Sequence, residues 1–94
     1  MSQWTFLTNH AHAMVLLSRN PDLRIRDLAE QIGITQRAVH RIIADLVEAE
    51  YLRIEKHGRR NHYEVRHGAP LRHPVEAGAC IHDLIGVVVR ATAE

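Results

Sequence analysis

Four side chains within a six-residue stretch, Gln36, Arg37, His40 and Arg41, carry the donor groups that read nucleic-acid bases. An arginine can meet guanine through two parallel hydrogen bonds, and a glutamine amide can do the same with adenine. On a helix, positions three and four apart share a face, so these side chains would stand together. Val39, Ile42 and Ile43 fall on the other side and require a core. A second polar group, Lys56, Arg59, Arg60 and Asn61, gathers around Gly58. Between residues 53 and 67 five basic side chains meet two acidic ones, in a chain whose net charge is only +1. The positive charge is therefore local, and its placement says more than its total.

Elements able to position these groups follow from the pattern. Thr8 can cap a first helix over 8–19, with Ala11, Met14, Val15 and Ser18 on one broad face and Asn20-Pro21 as its stop. A second short helix over 26–32 buries Leu28, Ala29 and Ile32, and Gly33 ends it in a left-handed turn. Thr35 caps a third helix running to about residue 50, with Ala38, Val39, Ile42, Ile43, Leu46 and Val47 at core spacing. Leu52, Ile54, Tyr63 and Val65 alternate with charged residues, which predicts two strands joined by a basic loop from Lys56 to Asn61. Pro70 and Pro74 stiffen a linker, and Pro74 suits the first turn of a last helix over about 74–90. The stripe Ala77, Cys80, Ile81, Leu84, Ile85 and Val88 is wider than a small core needs.

A short helix, a glycine turn and a second helix with a polar front half make a helix-turn-helix, and a following hairpin adds a wing. The expected fold class is mainly α with a small β-hairpin wing, a winged helix-turn-helix plus a C-terminal helix. Residues 1–67 would form the DNA-binding domain and 68–94 a linker and dimerisation helix. Over roughly residues 8–67 the chain resembles small bacterial winged-helix transcriptional regulators of the broad MarR and ArsR type. The segment "PLRHPVEA" and the last helix also look like the tail of short regulators of this kind.

The resemblance and the residues together imply double-stranded DNA as the partner. Gln36, Arg37, His40 and Arg41 would meet base edges from the front half of the third helix. Thr35 and the amides at the helix start would hold a phosphate. Lys56, Arg59, Arg60 and Asn61 would track the backbone or enter the minor groove. Asp45, Glu48 and Glu50 repel phosphate, so the rear half should stay out. His40 and His57 stand beside arginines and belong to the residue type that titrates near neutrality, which predicts tighter DNA binding as pH falls. Regulators of this type act as two-fold dimers, and Trp4, Leu7, Ile81, Leu84, Ile85 and Val88 would form the interface. The alternative for the last helix is packing on the first helix of its own chain.

Other function classes have weaker support. The chain's 94 residues suit one small domain, and 46% apolar composition supplies a core. Its single cysteine, Cys80, excludes an intrachain disulfide and a CxxC motif. The N-terminal stretch has no basic leader and its apolar run is too short to span a bilayer, so the chain reads as cytoplasmic with no membrane role. Eight histidines invite a metal-responsive, ArsR-like repressor as an alternative, with His10, His12, His73, Cys80, His82 and Asp83 as candidates. Residues two apart on a helix point away from each other, so no single element holds such a site and no metal or cofactor is expected. Whether a small-molecule or metal effector exists stays open. Ser2 and Ser18 lack an arranged base and the five glycines are isolated, which argues against an enzyme. A winged helix used for protein–protein contact is the remaining alternative.

Overall fold

The computed structural model describes residues 3–93; Ser2 lies outside them. The chain forms α1 (Asn9–Arg19), α2 (Ile25–Ile32), α3 (Gln36–Glu48), β1 (Leu52–His57), β2 (Arg60–Val65), a 3-10 turn (Pro74–Glu76) and α4 (Ile81–Ala91). Thr8 caps α1 by accepting from the Ala11 amide at 3.2 Å. Thr35 does the same for α3, accepting from the Ala38 amide at 3.0 Å. Between α2 and α3 the backbone turns on Gly33, whose φ of 86° is left-handed. The Ala29 carbonyl there accepts from both Gly33 and Ile34, at 2.8 and 3.0 Å. This is a helix-turn-helix with a two-stranded antiparallel wing.

The core is a single cluster. Leu28 and Ala29 of α2 meet Val39, Ile42, Ile43 and Leu46 of α3, with Leu52, Tyr63 and Val65 below the wing. Helix α1 is the hub: α2, α3, β2 and α4 all pack on it. Its buried residues are accordingly Ala13, Met14, Val15 and Leu17, broader than the one face the spacing predicts.

Three local expectations need correction. Helix α3 stops at Glu48, and Glu50 takes a left-handed φ of 65° so that the chain can turn into β1. Val47 is correspondingly exposed. The loop expected from Lys56 to Asn61 is far tighter: strand pairing continues through Lys56↔Asn61 to His57↔Arg60, leaving only Gly58 and Arg59 to turn. Gly58, at φ 66°, supplies the left-handed first turn position that a two-residue hairpin favours. The last helix does not begin at Pro74. Pro74–Glu76 is an isolated 3-10 turn, Gly78 reverses the chain at φ 92°, and Leu71 N–H bonds to the Ala79 carbonyl at 3.0 Å. Helix α4 starts after Cys80, whose amide donates to the Asp83 carboxylate at 3.0 Å. That bond is the main reason the Asp83 carboxyl is held below the usual carboxylate range.

Two of the left-handed positions, Gly33 and Glu50, generate opposite predictions, both readable by urea unfolding at unchanged slope. Gly33→Ala meets no atom that crowds its new Cβ, so its cost is the backbone alone, about 1–2 kcal/mol. Glu50→Gly removes the same kind of strain and raises stability by up to about 1 kcal/mol, less what the freer unfolded chain takes back.

Candidate nucleic-acid interface

Helix α3 has two sides of different chemistry. Val39, Ile42, Ile43 and Leu46 are buried, whereas Gln36, Arg37, His40 and Arg41 are all exposed. Gln36 and His40 are one helical turn apart, as are Arg37 and Arg41, so the four form one open polar face. Thr35 sits at the exposed start of that face, its hydroxyl oxygen occupied by the Ala38 amide. The rear half of α3 is different. Asp45 Oδ2 lies 2.8 Å from Nε2 of His10, a contact that ties α1 to α3.

The wing places its basic residues unequally. Arg59 occupies the turn itself and Lys56 stands next to it on β1, both exposed. Among the described residues neither makes an ion pair, whereas Arg53 and Arg66 face Glu64 and Glu50 at 3.7 and 3.4 Å. Arg60 instead reaches back, donating from Nη2 to the Asp22 carbonyl at 2.6 Å. Asn61 is half-buried, its Nδ2 donating to the Tyr63 hydroxyl at 3.2 Å. Arg59 and Lys56 thus project their charge, while Arg60 and Asn61 also brace the hairpin.

Sequence spacing did not point to Arg24. It lines a cleft of about 290 Å³ between the start of α2 and the wing, where Lys56, Arg59 and Arg60 join it and Asp22 is the one acidic lining residue. Leu23 and Arg24 carry no periodic signal, and only the hairpin's return across the α1–α2 connection brings Arg24 to the wing. The connection is held there by the Tyr63 amide, which bonds to the Pro21 carbonyl at 2.8 Å. A larger hollow, about 850 Å³, lies at the other end of the hairpin. It mixes Arg53, Arg66 and Arg72 with Glu48, Glu50 and Glu64, so it presents no field of one sign.

The residues proposed for an interface between copies divide by burial. Ile81 and Ile85 are buried in the chain's own core, because α4 packs on α1. Leu84 and Val88 are half-buried, as is Leu7, while Trp4 is 67% exposed. Phe6, 92% exposed, stacks edge-on against Trp4 with ring centroids 5.0 Å apart. Val87 also faces solvent.

The histidines singled out as metal candidates do not converge. His10 is with Asp45, His12 Nδ1 is 3.1 Å from Asn9 Oδ1, and His73 Nδ1 accepts from the Val75 amide at 3.1 Å. Two other histidines do meet, on the outer wing face. His62 Nδ1 lies 2.7 Å from Asp22 Oδ1, and His57 Nε2 lies 2.8 Å from Glu55 Oε1. The hydrogen bond from His62 is the largest influence lowering the Asp22 carboxyl below its ordinary range, and that from His57 does the same for Glu55. A carboxylate stabilised in the folded state contributes above its unfolded pKa, near 4, and loses that contribution as pH falls through the lower folded value. The stability that the Asp22 and Glu55 carboxylates contribute should therefore be lost only as pH falls below about 4, read as the acid limb of hairpin unfolding. Asp22→Asn should flatten part of that acid response.

Comparison with known proteins supplies an independent result. No curated protein matches the chain. A protein-family model described as MarR family matches residues 5–60, from the approach to α1 through the wing turn and more than half of the 94-residue chain. No described helix is long and apolar enough to cross a membrane. Helix-turn-helix, wing and family match converge on one assignment: the chain belongs to the MarR family of transcriptional regulators.

Proposed function

We propose that the protein is a sequence-specific regulator that binds double-stranded DNA as a homodimer. The open face of Gln36, Arg37, His40 and Arg41 on α3 carries this reading. A helix fits the major groove, and here the face that would enter it holds two guanidinium groups and one amide but no carboxylate. Arg59, Lys56 and Arg24, none of them in an ion pair among the described residues, line the cleft beside the wing with positive charge suited to phosphates. Thr35 and the first amides of α3 add a phosphate contact at the helix start. On this reading the protein works in the bacterial cytoplasm, where the duplex is.

A two-fold dimer would set its recognition helices ~34–36 Å apart, one turn of B-DNA. One chain measures 39 × 35 × 29 Å, a size at which equivalent points on two adjoining copies can stand that far apart. Trp4, Leu7, Leu84 and Val88, joined by the exposed Phe6 and Val87, offer the apolar surface for pairing. Ile81 and Ile85 would support that face from within.

Fluorescence anisotropy on duplex from upstream of the protein's own gene, at several salt concentrations, tests the reading. Expected is binding tighter than to random duplex, with affinity falling steeply as salt rises. Equal affinity for both duplexes would overturn sequence specificity. No binding at low salt would instead favour a winged helix used for protein contact. Arg37→Ala or Arg41→Ala should cost about 1–3 kcal/mol and relax preference at one base position. Arg59→Ala should weaken all sequences alike and lower the salt slope by about one. Sedimentation should show a dimer that Trp4→Ala with Val88→Ser shifts toward monomer.

A further inference from the structure

Three segments distant in sequence converge on the outer face of the wing root. Strand alternation places Glu55 and His57 of β1 on one face, opposite His62 and Arg60 of β2. Asp22 arrives from the α1–α2 connection, held by the Arg60 guanidinium on its carbonyl and by His62 on its carboxylate. The rings of His57 and His62 stack with centroids 4.8 Å apart and planes 14° from parallel. One ligand atom from each of Asp22, His57 and His62 lies within 4.8 Å of the others.

We propose that Asp22, His57 and His62 form a binding site for a divalent transition-metal ion of the Zn²⁺ class, which clamps the wing to the α1–α2 connection. Two imidazoles and a carboxylate are the donor set that such ions favour, with the remaining position left to water. A tetrahedral shell with bonds of about 2.0–2.1 Å needs donor atoms roughly 3.4 Å apart. The observed spread is somewhat wider, and side chains that are 57%, 54% and 32% exposed can close it by small rotations. Two protonated imidazoles stacked this way repel each other. Two neutral ones each present a nitrogen lone pair, which the metal satisfies. Metal binding would displace the proton shared by Asp22 and His62. Glu55, bonded to Nε2 of His57, orients that ring as carboxylates orient metal-ligating histidines elsewhere. The proposal stands without the DNA reading, because it rests on contacts within the chain itself.

The test uses the full chain, freed of metal by chelator, without DNA. Zn²⁺ is titrated calorimetrically, and Co²⁺ is followed by its visible absorption. Expected is one ion per chain, with ¹⁵N shifts confined to the His57 and His62 rings. His57→Gln and His62→Gln should each weaken binding beyond the ~10–100-fold typical of an outer-shell change, and Glu55→Gln should fall inside that range. His10→Gln, outside the cluster, should leave binding unchanged. Circular dichroism without metal confirms that each variant is folded, and Asp22→Asn provides a second route to the same loss. Absence of binding, or binding that all these cluster substitutions leave intact, overturns the site.

Discussion

The angle at which α3 leaves α2 is set by a single left-handed residue, and the molecule's surface chemistry depends on it. Gly33 turns the chain while the Ala29 carbonyl holds both Gly33 and Ile34. Ala29, small and buried, lets the two helices approach. With the angle fixed, Val39 and Ile42 reach Leu28 and the core, and Arg37 and Arg41 have nowhere to go but outward. The polar face is thus the geometric complement of the buried one. A change at Gly33 would rotate both together, which couples stability to the placement of the polar face through one backbone angle.

The wing depends on a second constraint, its attachment to the α1–α2 connection. A two-stranded hairpin alone is marginal in water. Here the Tyr63 amide takes the Pro21 carbonyl, Arg60 takes that of Asp22, and Tyr63 enters the core. Arg60 therefore divides its role from Arg59. One guanidinium braces the hairpin, leaving the other at the turn with no ion-pair partner among the described residues. The individual surface pairs contribute little each, but together they fix where the free charges stand relative to α3.

Much of this was legible in the residues. The caps Thr8 and Thr35, the turn at Gly33 and the spacing of Val39, Ile42 and Leu46 are local signals, and each appears where the sequence puts it. Errors arose where a local preference met a longer-range contact. Pro74 does favour a first helical turn, but pairing of Leu71 with Ala79 and the bridge from Pro70 to Cys80 claim the backbone first. Glu50 reads as helix until the chain must reverse for β1. The meeting of Asp22 with His62, forty residues away, has no sequence signature at all. Charged residues with no period look like solvated surface until the hairpin register is known, and that register hinges on Gly58 turning the chain in two residues.

Helix α4 shows how the same apolar stripe can serve two purposes. A chain of this size buries a limited share of its surface, so each added apolar contact matters. Ile81 and Ile85 complete the core around α1, and Arg19 donates to Thr92 to hold the helix ends together. That use consumes one side of the stripe only. Leu84, Val88 and Val87 continue around the helix toward solvent, and Trp4 and Phe6 remain largely uncovered. A stripe too wide for one chain's core is what a helix needs if it must both close its own domain and pair with a second copy. The excess, and not the buried part, is therefore the portion of α4 that the proposed pairing would use.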